Sequence, residues 1–342
     1  MLFKIFKRIK IFRLYFRVAF TQLTIEKFLT ILRYFYLVYI CKKHIPWVVE
    51  FSITYRCQCK CLHCSVADYL NKNKTSEELT TNQCKDILKQ IKDIGIPKVD
   101  FFGGEPLIRK DIVELSRFGS SIGLFISITT NALVLERELI KDLKKVKVSY
   151  ISISLDSVEK EKHDRFRGIN GIYQKATNAV KFCYEERLPC LISTYITKND
   201  ILGFGSRNDN SNLRKIISLS KEIKASGIRV LFPIISGKWL KNKKRALDLI
   251  EQKQVLDSID YSFVFIEGAF CVDKGMKICQ SLTGKMFNIS PYGDVQLCVI
   301  YPKSFGNIKN KSLKGILYSM YNHFIYLKNE SRSCCDTDGL LV

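Results

Sequence analysis

No stretch of the sequence is apolar for long enough to span a membrane. The N-terminal run Phe28–Ile40 covers 13 residues and is broken by Arg33, whereas a spanning helix needs about 20. A secretory leader is not expected either. Lys4, Lys7, Arg8, Lys10, Arg13 and Arg17 interrupt the first apolar residues, and no small-residue cleavage site follows. Acidic residues are scarce: 33 Asp+Glu against 55 Lys+Arg leave a net charge of +22. That excess is spread along the chain, lacks aromatic interleaving beyond the N-terminal segment, and accompanies no separate RNA-binding module. Nucleic acid is therefore not an expected partner, and most lysines read as solvated helix faces. Wholesale disorder is excluded by 46% hydrophobic residues at only 26% charge.

Cysteine, by contrast, is abundant, with thirteen in 342 residues. A disulfide-stapled secreted protein would be short and loop-rich, with a leader. Reduced thiols in a cytoplasmic setting, some of them metal ligands, fit this chain better.

Three segments are expected. Residues 1–45 carry ten Lys/Arg against Glu26 alone, a net +9, with Leu2, Ile5, Phe6, Ile9 and Phe12 at helical spacing. Such a basic amphipathic helix either lies on the inner face of a membrane as a peripheral contact or packs its apolar stripe on the protein body. Residues 46–258 alternate strand-like runs at 48–54, 99–102, 124–130, 150–155, 190–196 and 229–235 with helical patterns near 79–94, 110–119, 135–145, 171–187 and 212–226. At roughly 30 residues per unit these are repeated βα units, hence parallel strands with right-handed crossovers. A doubly wound sheet and a partial (β/α)6 barrel of the TIM type both satisfy that pattern, and motif placement favours the barrel. Residues 259–342 lose the helical rhythm and read as a small appendage, with a hairpin turn at Pro291-Tyr292-Gly293-Asp294.

Directly after the first strand stand Cys57, Cys59, Cys61, His63 and Cys64. Four thiolates could close a structural zinc cage. Alternatively Cys57, Cys61 and Cys64 could hold three irons of a four-iron cluster and leave the fourth iron open, as a catalytic centre requires. Gly103-Gly104-Glu105-Pro106 follows the second strand, 39 positions after Cys64. Paired glycines permit close backbone approach, and Glu105 supplies a carboxylate suited to an ammonium group. Thr130-Asn131 ends the third strand, Ser154 and Asp156 end the fourth, and Arg167 follows shortly after. Four successive strands thus carry polar residues at their C-terminal ends, the face on which a parallel barrel builds its active site.

These motifs resemble the radical S-adenosylmethionine superfamily over roughly residues 48–235. The resemblance implies that Cys57, Cys61 and Cys64 ligate a [4Fe-4S] cluster whose open iron chelates S-adenosylmethionine. It further implies that Gly103, Gly104 and Glu105 hold the methionyl amino group and that Arg167 meets its carboxylate. Asn131, Ser154 and Asp156 would contact carboxylate or ribose, and His63 would back the adenine. Cys59 is an added thiol expected to stay idle. Cys41, Cys84, Cys183 and Cys190 read as small apolar residues. In the tail, Cys279, Gly293-x4-Cys298, Phe305-Gly306-Asn307-Ile308 and Cys334-Cys335 resemble a twitch or SPASM auxiliary-cluster region. The long form needs seven cysteines, so at most one auxiliary cluster is expected, on Cys279, Cys298 and one or both of Cys334 and Cys335, with Cys271 or an external group completing it.

The resemblance implies an enzyme that takes electrons from a flavodoxin- or ferredoxin-type donor and cleaves S-adenosylmethionine to a 5′-deoxyadenosyl radical. The radical would abstract hydrogen from a peptide or a small molecule. A separate peptide-leader-binding domain does not fit within residues 1–45, which weighs against the peptide without excluding it. The competing reading is a non-catalytic iron–sulfur or zinc-binding protein, free or membrane-associated; Glu105 and Arg167 argue against it.

Overall fold

The computed structural model describes residues 2–64, 66–70, 78–232, 238, 244–267, 272–273, 276–277, 280–300 and 303–323. Among these, seven strands run parallel in chain order: β1 (Val48–Thr54), β2 (Lys98–Gly103), β3 (Phe125–Thr130), β4 (Tyr150–Ser154), β5 (Cys190–Tyr195), β6 (Gly227–Leu231) and β7 (Val264–Glu267). The first six are the expected strands. The seventh lies within the stretch assigned to the appendage, yet it pairs with β6. Beyond the other edge, β10 (Met286–Ile289) pairs parallel with β1, and β11 (Asp294–Gln296) and β12 (Ser304–Asn307) follow antiparallel. The tail's strands therefore prolong the barrel's own sheet. The short strands β8 (Val272–Asp273) and β9 (Met276–Lys277) form a separate pair. The turn between β10 and β11 falls at Pro291–Asp294, where the sequence placed it.

Crossover helices follow the local signals. Helix α3 (Thr81–Ile94) opens on a Thr80–Gln83 capping box and stops at Gly95 in the left-handed region. Its residues Ile87, Leu88 and Ile91 are buried in one core with Val49, Phe51, Ile53, Val99 and Phe101 of β1 and β2. Helices α4 (Ile112–Ser121), α5 (Arg137–Lys145), α7 (Ile172–Glu185) and α8 (Asn212–Glu222) fill the expected places. One more, α6 (Lys160–Arg167), stands between β4 and α7; its run of charges hid it from a reading based on apolar period.

The other face of the sheet is polar. Asp100 of β2 accepts from Ser127 at 2.9 Å and from Thr129, both on β3, and Arg229 of β6 reaches Thr129 at 3.5 Å. Strands three places apart lie about 14 Å apart in a flat sheet, farther than one arginine side chain spans. The sheet must curl around this polar face. It is a partial barrel, with no described strand joining β7 to β12.

Helices α1 (Leu2–Ala19) and α2 (Ile25–Phe35) lie across the N-terminal ends of the strands. Arg17 donates to the carbonyls of Ser226 and Ser262, just before β6 and β7. Lys27 reaches Lys147 and Ser149 before β4, and Leu14 and Val18 pack with Leu191 of β5. The helices therefore do pack on the body.

Candidate active site

The cysteine loop leaves the C-terminal end of β1 and is tied to two neighbours. Lys60 and Leu62 donate through their backbone N–H groups to Arg167 and Phe166 of α6, at 3.0 and 2.9 Å. Gly104 and Glu105 donate in the same way to Thr54 and Arg56, both at 2.8 Å. That second contact explains the paired glycines. A Cβ on Gly103 would lie 2.2 Å from the Thr54 oxygen, and one on Gly104 would lie 2.3 Å from the Arg56 oxygen. The close approach anticipated at these positions is an approach to β1 itself.

Within the loop, Cys57, Cys61 and Cys64 are half-buried and Cys59 is buried. The Cys59 thiol hydrogen-bonds to the sulfurs of both Cys57 and Cys61. That bond, with the Arg167 guanidinium beside it and against the cost of burial, brings the Cys61 thiol down to about 6. Cys57 is lowered by the same partner. Cys64 lacks it, and burial pushes its thiol up to about 11. Among the described residues, no three His, Cys, Asp or Glu side chains converge closely enough to ligate one metal ion. The thiols are not gathered into a zinc cage. A four-iron cube holds its thiolates farther apart than a single ion does, and the donors around these sulfurs suit an anionic centre.

Those donors come from the neighbouring strands. Asn131, just past β3, places its amide nitrogen 3.9 Å from the Cys57 sulfur. Arg167 places Nη1 3.8 Å from the Cys61 sulfur, while its Nε and Nη2 donate to Asp156 Oδ2 at 2.7 and 2.6 Å. Asp156 is also fixed by the Tyr195 backbone N–H. Burial opposes its charge, but the guanidinium prevails and holds the carboxyl below the usual range. Ser154 is buried at the end of β4, opposite Ser193 of β5.

Glu105 is held in place by the chain itself. It is fully buried, and its carboxylate accepts from Leu107 N at 3.1 Å, Thr130 Oγ1 at 2.7 Å and Asn131 N at 2.7 Å. These three donors pin the end of β2 to the end of β3 around the carboxylate that the sequence reading assigns to an ammonium group. Burial still raises its carboxyl to about 7. His63 likewise has protein neighbours: it stacks on Phe166 with ring centres 4.5 Å apart and leans on Tyr195 at 4.7 Å. Burial drops its imidazole to about 3, and its Nδ1 is buried without a hydrogen-bond partner among the described residues. Phe166 and Tyr195 were not foreseen. The signal for Tyr195 was available, since it ends the fifth strand as Asn131 and Asp156 follow the third and fourth.

In the tail, Cys298 is buried just after β11; burial, then Asp68, and last Cys298 push the Tyr69 phenol up. Tyr69 packs on Tyr55, which follows β1. Cys271, Cys279, Cys334 and Cys335 lie outside the described residues. Of the thiols read as plain apolar residues, Cys84, Cys183 and Cys190 are buried and Cys41 is exposed.

Residues 51–211 match the model of the radical SAM superfamily, and residues 279–337 match SPASM, an iron–sulfur cluster-binding domain. PqqA peptide cyclase of Bradyrhizobium diazoefficiens is 28% identical over 264 residues, 74% of this chain and 67% of that protein. Fe-coproporphyrin III synthase of Methanosarcina barkeri is 31% identical over 212 residues, 62% of this chain and 50% of that protein. Streptococcus suis SuiB bound to precursor peptide SuiA has a similar fold, with TM-score 0.65 at 20% identity, over 83% of this chain and 66% of that one. The chain thus spans between half and about two thirds of the length of these relatives.

Proposed function

Since the chain belongs to the radical S-adenosylmethionine superfamily, we propose that it reductively cleaves S-adenosylmethionine at a [4Fe-4S] cluster to a 5′-deoxyadenosyl radical, which abstracts hydrogen from a peptide or small-molecule substrate. The observation that carries this reading is Arg167. One guanidinium joins Asp156, beyond β4, to the Cys61 sulfur, beyond β1, so the cysteine loop and the polar strand ends form one site.

Cys57, Cys61 and Cys64 hold the primary cluster; the lowered Cys57 and Cys61 thiols and the Asn131 and Arg167 donors fit an anionic cluster. Cys59 stays outside it and hydrogen-bonds to its neighbours. Gly103 and Gly104 present backbone to the methionyl amino group, and Glu105 positions that segment against Thr130 and Asn131. Asn131, Ser154, Asp156 and Arg167 face the carboxylate and ribose. His63, held by Phe166 and Tyr195, keeps Nδ1 for the adenine edge. In the tail, Cys279, Cys298 and one or both of Cys334 and Cys335 bind one auxiliary cluster.

The kinship with a peptide cyclase supports a peptide substrate, and that with a coproporphyrin synthase supports a small one. A flavodoxin- or ferredoxin-type protein donates the electron. The enzyme works in the cytoplasm, with residues 1–45 touching the inner face of the membrane. The test is anaerobic incubation of the reconstituted protein with dithionite and S-adenosylmethionine. 5′-Deoxyadenosine is expected; iron–sulfur content without any 5′-deoxyadenosine would favour the non-catalytic reading.

A further inference from the structure

Helix α2 is amphipathic in the reverse sense. Its two buried residues, Lys27 and Thr30, are polar and face the barrel, with Tyr34 partly buried beside them. Lys27 is completely buried and donates to the carbonyls of Gln22 and Lys147 and to the Ser149 hydroxyl. Thr30, also buried, hydrogen-bonds with Lys92. The face turned to solvent carries the apolar residues. Ile25, Phe28, Leu29, Leu32 and Phe35, with Tyr39 in the next turn, follow one another at helical spacing and are all exposed, Ile25 to 76%. Helix α1 adds Phe12 and Phe16, exposed to 65% and 57%. A single exposed leucine needs no explanation; a contiguous apolar stripe marks an interaction surface.

Charge identifies the occupant. Arg13, Lys42 and Lys43 are exposed in the same segment, as is Arg33, which also donates to the Lys92 and Asp93 carbonyls; the segment's net charge of +9 includes the buried Lys27 and Lys10, which pairs with Asp260. A second copy would set this charge against itself. An anionic lipid surface accepts both the cations and the apolar stripe. No helix among the described residues is long and apolar enough to cross a membrane, so the pair would lie in the interfacial plane.

We infer that the outer face of α1 and α2 docks the protein on an anionic bilayer. The N-terminal ends of the strands then face the membrane, and the cysteine loop, at the opposite ends, opens away from it. This deepens the peripheral placement proposed above and is independent of the radical chemistry.

The test uses the full chain, with its iron–sulfur clusters, in co-sedimentation with vesicles. One set contains phosphatidylcholine and phosphatidylglycerol in a two-to-one ratio, the other phosphatidylcholine alone. Binding is expected to the anionic set, at least about tenfold weaker to the neutral one, and to weaken with added salt. The triple variant Phe28→Ser/Leu32→Ser/Phe35→Ser changes only exposed side chains. It should lose at least about a hundredfold in vesicle affinity and form 5′-deoxyadenosine at the wild-type rate. Wild-type protein left in the supernatant with both sets, or a triple variant that binds as wild type does, would overturn the inference. So would a lipid-free dimer that the variant converts to monomer, because the stripe would then be a self-interface. Vesicle binding without 5′-deoxyadenosine formation would support the docking and sink the catalytic reading.

Discussion

Replacing Gly104 with alanine should cripple cofactor cleavage without removing any cluster-binding cysteine. The new Cβ would lie 2.3 Å from the Arg56 carbonyl oxygen and 2.9 Å from the Tyr55 carbonyl carbon. Contacts of this kind stay beyond 3.0 Å, so something must retreat by at least about 0.7 Å. The crowded atoms are backbone, and Arg56 immediately precedes Cys57, so the displacement passes straight into the cysteine loop. It also strains the bond from Glu105 N to the Arg56 carbonyl, now 2.8 Å. Overpacking of this order costs about 1–3 kcal/mol of stability, and misplacement near an ångström lowers a rate on the order of a hundredfold. Gly171→Ala is the control. Its φ of +83° also disfavours a side chain, but nothing lies within 4 Å of its Cβ position, so it should lose only about 1–2 kcal/mol and keep its rate. The assay is 5′-deoxyadenosine formed per cluster, alongside thermal melting. Wild-type turnover in Gly104→Ala would refute the reasoning. An equal loss in Gly171→Ala would reduce the effect to general destabilisation.

Cys57→Ala, Cys61→Ala and Cys64→Ala should each abolish the primary cluster and Cys59→Ala should retain it, read from iron, sulfide and visible absorption in a chain that also lacks the tail cysteines. The opposite pattern would reassign the ligands. Glu105→Ala leaves the N–H groups of Leu107 and Asn131 and the Thr130 hydroxyl without their acceptor. A stability loss of about 3–5 kcal/mol is expected, with cleavage lost but iron largely kept; an unchanged melting temperature would mean the three donors find other partners. Lys27 offers a test by pH. Burial, assisted by the nearby Lys147 charge, lowers its ammonium to about 8, against about 10.4 in the unfolded chain. Between those values the unfolded state holds more protons, so this group makes stability rise with pH, by about 3 kcal/mol in all. The urea midpoint of the wild type should therefore rise relative to that of Lys27→Met between pH 8 and 10; a constant difference would show that Lys27 titrates normally.

Much of the chemistry was legible in the residues alone. Cysteine spacing, paired glycines and polar strand ends are local signals, and a parallel βα repeat places every strand's C-terminal end on one side. That rule by itself brings residues 57–64, 103–105, 131, 154–156 and 167 together. Composition could not show what each group touches there. Glu105 and Arg167 read as ligand-binding charges; the fold adds that Glu105 is enclosed by Leu107, Thr130 and Asn131 and that Arg167 divides its donors between Asp156 and Cys61. Such pairings depend on how closely neighbouring strands approach, a distance that no sequence pattern contains. The seventh strand and the union of the tail with β1 escaped for a related reason: edge pairing is made between segments far apart in the chain, and short strands carry little periodicity of their own. Helix α2 shows the divide most clearly. Its sequence determined that one stripe is apolar and the other polar, while only packing decided that the polar stripe, through Lys27 and Thr30, would face inward. Buried carbonyls and hydroxyls at the barrel's end needed hydrogen-bond donors, and no apolar side chain can supply one.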